Sequence, residues 1–255
     1  MKLQSIPLLE YDDCPQGVIR AEKPVPSLHV PPYCVITFFG EILEEKYRKG
    51  ELKKVAALTL EFQENPVYVT KVKGQEVGLV MATVGAPNAA GQLEELTAMG
   101  FKKFLVCGGA GVLQREIAVG HLIIPDSAIR DEGTSYHYLP ASREVTCNPH
   151  AVSILEQGLK QRDIPYLKAK TWTTDAIYRE TRDKIALRVQ EGCVTVEMEA
   201  SAFFAVAQFL GVTLGQILYG GDDLSGTEWD GRKWISRRDV RENLVELCLE
   251  LCLEL

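Results

Sequence analysis

The feature that most restricts the fold of this chain is a regular alternation, from Ala89 onward, of short apolar runs with stretches of helical spacing that close on glycine. Ala89 to Met99 carries apolar residues at helical spacing and stops at Gly100, and Lys103 to Cys107 is a buried-type strand entering Gly108-Gly109-Ala110-Gly111. Glycine tolerates the left-handed conformation that ends a helix, so each such residue marks a boundary. Leu122 to Ile129 is extended, and Asn148-Pro149, a cap residue followed by a first-turn proline, opens a helix to about Gln161. Tyr166 to Thr174 then reads as strand, Tyr178 to Gln190 as helix closed by Gly192, and Val194 to Val196 as strand. Glu199 to Leu210 reads as helix closed by Gly211, Leu214 to Tyr219 as strand and Asp239 to Leu255 as helix. Such an alternation predicts a single α/β domain around one central sheet, since no composition break marks a linker.

Upstream, residues 1–33 are Pro-rich (Pro7, Pro15, Pro24, Pro26, Pro31, Pro32) and weakly periodic, which predicts an extended arm ahead of a domain over residues 34–255. Cys34 to Phe39 fits a buried strand, and Glu41 to Arg48 a helix that Gly50 ends. Val55 to Phe62, Val67 to Val72 and Glu76 to Val84 read as strands, with Lys73-Gly74 as the hairpin turn between the last two.

Charge and cysteine usage narrow the function classes. A net charge of −7 argues against a sequence-independent grip on DNA or RNA, which needs clustered positive charge. A small-molecule substrate fits better. No apolar run approaches the roughly 18 residues that span a bilayer, and Met1 to Glu10 lacks the basic-then-apolar order of a signal peptide, so a cytoplasmic location without membrane contact is expected. The seven cysteines are odd in number and form no C-x-x-C, which points to reduced, mostly buried thiols. Cys248 and Cys252, one helical turn apart among leucines, fit core or interface packing. His29, His121, His137 and His150 are scattered without ligand spacing, and no metal or organic cofactor is expected.

Four clusters carry chemistry. The turn-like Gly108 to Gly111 follows a buried strand, where open α/β sheets bind ligands, and its amides fit an anion or a sugar; a tight turn needing positive φ fits equally. Glu197, Met198 and Glu199 place two acids between a strand of Val and Thr and a helix rich in Ala and Phe, where carboxylates are costly unless paired or ligand-bound. The vicinal hydroxyls of a ribose would meet that need, with Met198 as an apolar wall. The alternative is that Glu199 favours the helix dipole while Glu197 is exposed. Asp222 and Asp223, after Gly220-Gly221, lie at the carboxyl edge of a strand, where a desolvated acid can hold a proton for a leaving group or, alternatively, cap the next segment. The polar, aromatic run Arg130 to Tyr138 fits a pocket wall or a surface turn.

Together these pieces resemble the nucleoside phosphorylase-I superfamily, which includes purine nucleoside phosphorylases, uridine phosphorylases and methylthioadenosine nucleosidases. The likeness runs from about Val80 onward and rests most on Val196-Glu197-Met198-Glu199-Ala200, supported by Gly85-Ala86-Pro87 with Leu93-Glu94-Glu95-Leu96, by Gly108 to Gly111, and by Thr173-Thr174-Asp175-Ala176-Ile177-Tyr178. The resemblance implies a three-layer α/β/α domain whose mixed central sheet is partly barrel-like. It implies ribose contacts from Glu197, Met198 and Glu199, base contacts from Thr174, Ile177, Tyr178 and Asp222, and Asp222 as the acid that protonates a purine. It further implies a homo-oligomer, dimer or hexamer, with the Leu244 to Leu255 helix and the Pro-rich arm as contact surfaces, and phosphate as co-substrate, giving free base and ribose 1-phosphate.

The chain departs from that pattern at the phosphate. Phe38-Phe39-Gly40-Glu41 stands where the phosphorylases have Gly-Asp-Pro and an arginine, and Val106 stands where they place another arginine. Gly85, Gly108, Gly109 and Arg130 are then the anion candidates, with Arg115 or a neighbouring subunit as further sources of charge. Water activated by Glu44 or Glu45 would make the chain a hydrolytic nucleosidase, and a pocket without turnover would make it a nucleoside-binding protein. Thr181 and Asp183 stand where uridine-cleaving relatives carry Gln and Arg, with Arg182 adjacent.

Overall fold

In the computed structural model, which describes residues 3–59 and 64–255, the core begins with the near-continuous apolar runs that build parallel strands. β1 (Tyr33–Thr37), with Cys34, Val35 and Ile36 fully buried, lies between β4 (Gln75–Met81) and β5 (Lys103–Val112), parallel to both. β2 (Lys53–Thr59) and β3 (Glu64–Val72) extend the sheet antiparallel beyond β4. The β3–β4 hairpin turns on Lys73 and Gly74, whose φ values of 51° and 83° are the left-handed pair a two-residue hairpin requires. Residues 60–62 of the strand predicted over Val55 to Phe62 lie outside the described residues.

On the other side of β5 the sheet closes on itself. β5 pairs in parallel with β10 (Thr213–Asp223), β10 antiparallel with β6 (Leu122–Asp131), β6 in parallel with β8 (Tyr166–Thr174), β8 in parallel with β9 (Cys193–Glu197), and β9 antiparallel with β5. These five strands form a closed barrel inside a ten-stranded mixed sheet, with β7 (Glu144–Thr146) added at β6. Two closing seams are short: Leu218↔Ile123 and Tyr219↔Leu122 between β10 and β6, and Gly111↔Val196 and Val112↔Thr195 between β9 and β5.

Among the described residues six helices cover the sheet: α1 (Gly40–Arg48), α2 (Ala86–Met99), α3 (Pro149–Gln161), α4 (Arg182–Gln190), α5 (Ala200–Leu210) and α6 (Arg238–Cys252). Asn148 caps α3 by accepting the His150 and Ala151 N–H groups, a contact that stabilises by about 1 kcal/mol. α5 buries Phe203 and Phe204 completely, and each such ring stabilises the core by roughly 2–3 kcal/mol. α6 turns Leu244, Val245, Cys248, Leu249 and Cys252 inward. Its apolar face is therefore occupied by the chain's own core, with Cys252 Sγ donating to the Cys34 carbonyl of β1, which corrects its reading as a contact surface for another copy. Six of the seven cysteines are buried and Cys14 is exposed.

Two local expectations change. The predicted helix Tyr178 to Gln190 divides, because Thr181 takes an extended conformation and caps α4 through the Lys184 N–H, leaving Ile177–Arg179 as a separate 3-10 turn. The glycine cluster is strand, not a tight turn: β5 runs through it to Val112, and no positive φ occurs there. No helix among the described residues is long and apolar enough to cross a membrane.

Candidate active site

At the carboxyl end of the barrel strands lies a cavity of about 750 Å³ whose lining brings β9, β10 and the 177–182 turn together with Phe38, Phe39, Trp229 and Trp234. Gly109 and Gly111 of β5 belong to its wall, and aromatic rings approach the β5 backbone at Gly108 and Gly109 too closely for any side chain. A Cβ at Gly109 would lie 2.6 Å from the Trp234 ring, and one at Gly108 2.8 Å from the Phe38 ring. Their backbones run in the β5–β10 ladder, opposite Tyr219 and Leu218, so neither forms an open anion cradle.

Glu197, Met198 and Glu199 all line the cavity, at the junction of β9 and α5. The two carboxyls differ in their partners. Glu197 ends β9 buried, with Oε1 accepting from the Thr173 hydroxyl at 2.6 Å and Oε2 accepting from the Glu199 and Ala200 N–H groups at 2.7 and 2.6 Å. It thus satisfies the first amides of α5, a task assigned in sequence to no residue. Glu199 reaches across to α2, its Oε1 accepting from the Gly85 N–H at 2.6 Å. That amide therefore serves a protein carboxylate. Burial raises both carboxyls above the ordinary carboxylate range, and for Glu199 the neighbouring Glu197 charge raises it further. Each is thereby shifted toward its neutral, proton-holding form.

Asp222 and Asp223 end β10 but do different things. Asp223 accepts from Ser225 N–H and Oγ and from Arg232 at 2.8, 2.6 and 2.5 Å, which folds the following loop back on the strand and lowers its pKa against the opposing effect of burial. Asp222 faces the cavity and accepts from Trp229 Nε1 at 2.6 Å. Beside it stands Glu180, whose carboxyl is pushed up to about 7 by burial and then by the Asp222 charge. Ile177 and Tyr178 form the rim, 53% and 95% exposed. Thr174 is buried below them, its hydroxyl accepting from the Ala176 N–H, and does not line the cavity.

The cationic candidates end elsewhere. Arg130 is held by Ser135 Oγ, Ser142 Oγ and the Leu139 and Pro140 carbonyls, with its guanidinium over Tyr136, because its own loop wraps around it. Arg115 lines a separate surface hollow with Asp223 and Asp230. Glu45 pairs with Lys49 and Arg238, Glu44 is exposed, and neither lines the cavity. The arginines that do line it are Arg182, which donates to the Leu224 and Thr227 carbonyls, and Arg241, which sits over Phe39 and Trp234 and donates to Glu41 and the Tyr219 hydroxyl. No group of three or more His, Cys, Asp or Glu among the described residues is placed to hold a metal ion.

Sequence reasoning passed over Glu180, Gln216, Trp229, Trp234 and Arg241. Trp229 and Trp234 sit in an aperiodic polar segment after β10, where nothing in the spacing signals a wall. Glu180 follows the aromatic Tyr178 by two residues and was legible only as part of the predicted Tyr178 to Gln190 helix, whereas it lies between the 3-10 turn and α4.

A five-stranded barrel set in a mixed sheet, with a buried acid pair lining a cavity and a helix beginning on it, defines a single-domain α/β protein. Residues 32–254 match the phosphorylase superfamily, and the chain belongs to that family. It is 26% identical over 170 residues to guanosine phosphorylase of Halorubrum lacusprofundi, covering 67% of this chain and 70% of that one. It is 26% identical over 160 residues to uridine phosphorylase of Haemophilus influenzae, covering 57% and 64%. The purine nucleoside phosphorylase of Toxoplasma gondii, solved with immucillin-H, superposes with a TM-score of 0.74 at 20% identity, covering 94% of this chain and 99% of that one, and shows the fold alone.

Proposed function

We propose that the chain cleaves the N-glycosidic bond of a purine-type nucleoside by phosphorolysis, releasing free base and ribose 1-phosphate. The observation that carries this reading is the single cavity that joins the Glu199–Met198 pair to Asp222 and Glu180. Glu199 and Met198 hold the ribose hydroxyls and one sugar face. As the C1′–N bond stretches, its electron pair leaves with the base and a phosphate oxygen forms the new bond to C1′. Asp222 delivers a proton to the purine at N7, and Glu180, whose carboxyl burial and the Asp222 charge raise, is the neighbouring reservoir for that proton. Ile177 and Tyr178 flank the base at the mouth. The names of the relatives, guanosine and uridine phosphorylase, agree with the sugar half and leave the base to this chain's own acids. No organic cofactor or metal enters the scheme, and phosphate is the co-substrate.

Hydrolysis is the second reading. It is favoured by one observation: both arginines of the cavity are already engaged, Arg182 by carbonyls and Arg241 by Glu41, so neither meets an incoming anion unaccompanied. A panel of purine and pyrimidine nucleosides, each incubated with and without inorganic phosphate and scored for free base and sugar phosphate, decides between them. Phosphate-dependent release of base from purine nucleosides is expected. Equal release without phosphate makes the chain a nucleosidase, and tight binding with no release from any nucleoside makes it a binding protein.

A further inference from the structure

Gln216 sits in β10 at 1% exposure and lines the same cavity as Glu199 and Met198, yet its Oε1 has no hydrogen-bond partner among the described residues. Buried side-chain amides are nearly always satisfied, and one that is not, at the wall of a ligand cavity, marks a contact that a ligand completes. The surroundings explain why the protein supplies no partner. In register, Gln216 lies opposite Val106 of β5, which lies opposite Ile36 of β1, and the Phe38 ring covers Gly108 one pleat along. Val106 is apolar, as are Ile36 and Phe38 beyond it. Val106 is also the position at which the sequence departs from an expected arginine, so the polar group at this level of the sheet comes from the adjacent strand.

We propose that Gln216 is the residue that binds the second reactant of the glycosidic cleavage, inorganic phosphate in its monohydrogen form; this rests on the phosphorolytic reading above. A carboxamide offers one carbonyl acceptor and two N–H donors in one plane. Monohydrogen phosphate offers the complement, anionic oxygens to accept from Nε2 and a P–OH to donate to Oε1. A neutral amide also suits this wall because Glu197 and Glu199 are close by in the cavity. An arginine beside them would add a charge to a buried wall, whereas an amide stays neutral and leaves its hydrogen bonds for the ligand. Recognition then rests on hydrogen-bond geometry instead of net charge, which agrees with the engagement of Arg182 and Arg241 by protein partners.

The test varies inorganic phosphate at saturating nucleoside, and nucleoside at saturating phosphate, for the full chain and for Gln216→Leu and Gln216→Met, two apolar side chains of similar size. Thermal unfolding with and without phosphate alone accompanies it, so that a merely destabilised variant is recognised by its lower Tm in buffer. In both variants KM for phosphate is expected to rise tenfold or more, with KM for nucleoside within twofold, and the phosphate-induced rise in Tm is expected to disappear. If phosphate KM and the phosphate-induced Tm shift stay as in the unmodified chain, or if only nucleoside KM rises, the assignment of Gln216 is wrong while phosphorolysis stands. If the unmodified chain releases base at the same rate without phosphate and shows no Tm shift with it, both readings fall together.

Discussion

Glu199 Oε1 accepts the Gly85 N–H at 2.6 Å, so a carboxyl at the start of α5 is anchored to the start of α2, a segment 114 residues away. Glu197, two residues earlier, is instead filled by Thr173 and by the Glu199 and Ala200 amides. One acid therefore builds the corner and the other presents itself to the cavity.

This division predicts different failures. Glu197→Ala leaves two buried N–H donors and a hydroxyl unmatched, at about 1–3 kcal/mol for each unsatisfied group, and is expected to lower the urea midpoint markedly. Glu199→Gln keeps an oxygen for the Gly85 N–H and is expected to fold with a similar midpoint while losing about 10²-fold or more in kcat/KM. Matching losses of stability in the two variants would contradict the division.

Asp222→Asn is expected to reduce turnover of natural purine nucleosides by roughly 10²–10⁴-fold, the usual contribution of a positioned acid. On a nucleoside whose leaving group needs no proton the loss should be far smaller. Equal losses on the two substrates, measured as base release, remove Asp222 from the proton path.

Glu180 gives the pH dependence its sign. Burial and the Asp222 charge raise its carboxyl to about 7, so the folded chain favours the neutral form. The stability it contributes is fully present below its ordinary value of 4.5 and is lost as pH rises through about 7. As a proton reservoir it acts in the same form, so kcat/KM for a purine nucleoside is expected to fall as pH rises through about 7. Glu180→Gln should remove that limb from the pH profile, and a profile that keeps it assigns the titration to another group.

Trp234 and Gly109 form a wall contact that tolerates no extra atom, since a Cβ there would meet the ring at 2.6 Å. Gly109→Ala is expected to destabilise by about 1–3 kcal/mol through overpacking and to weaken nucleoside binding. Trp234→Ala in the same chain should recover part of the stability, a non-additivity read from a double-mutant cycle. Strict additivity would place the ring elsewhere.

Much of the architecture was legible because its cause is local. Gly100, Gly192 and Gly211 each close a helix with positive φ, Asn148 caps the helix it announces, and β8 spans the Tyr166 to Thr174 run read from the sequence. What stayed hidden depends on partners distant in sequence. Nothing in Gly108 to Gly111 says that Phe38 and Trp234 will lie on them, and the reading as a turn followed from composition alone. Arg130 looked like a cavity cation because it is polar and follows a strand, but the carbonyls of its own loop enclose it. Gln216 sits in an apolar strand with no periodicity to single it out, and its significance appears only with the cavity beside it. Neighbouring acids, conversely, were visible as pairs but not as separate tasks.

The barrel closes through seams of two residue pairs each, and one of them, Gly111↔Val196, adjoins the strand that carries Glu197. Contacts so far apart along the chain are costly in loop-closure entropy and form late in folding. The corner at β9 and α5 can therefore take shape only once β9 has been made and brought into register with β5. Nascent chains and partly folded forms should be silent in any assay that needs this corner, so that turnover would report the completed molecule and not its fragments.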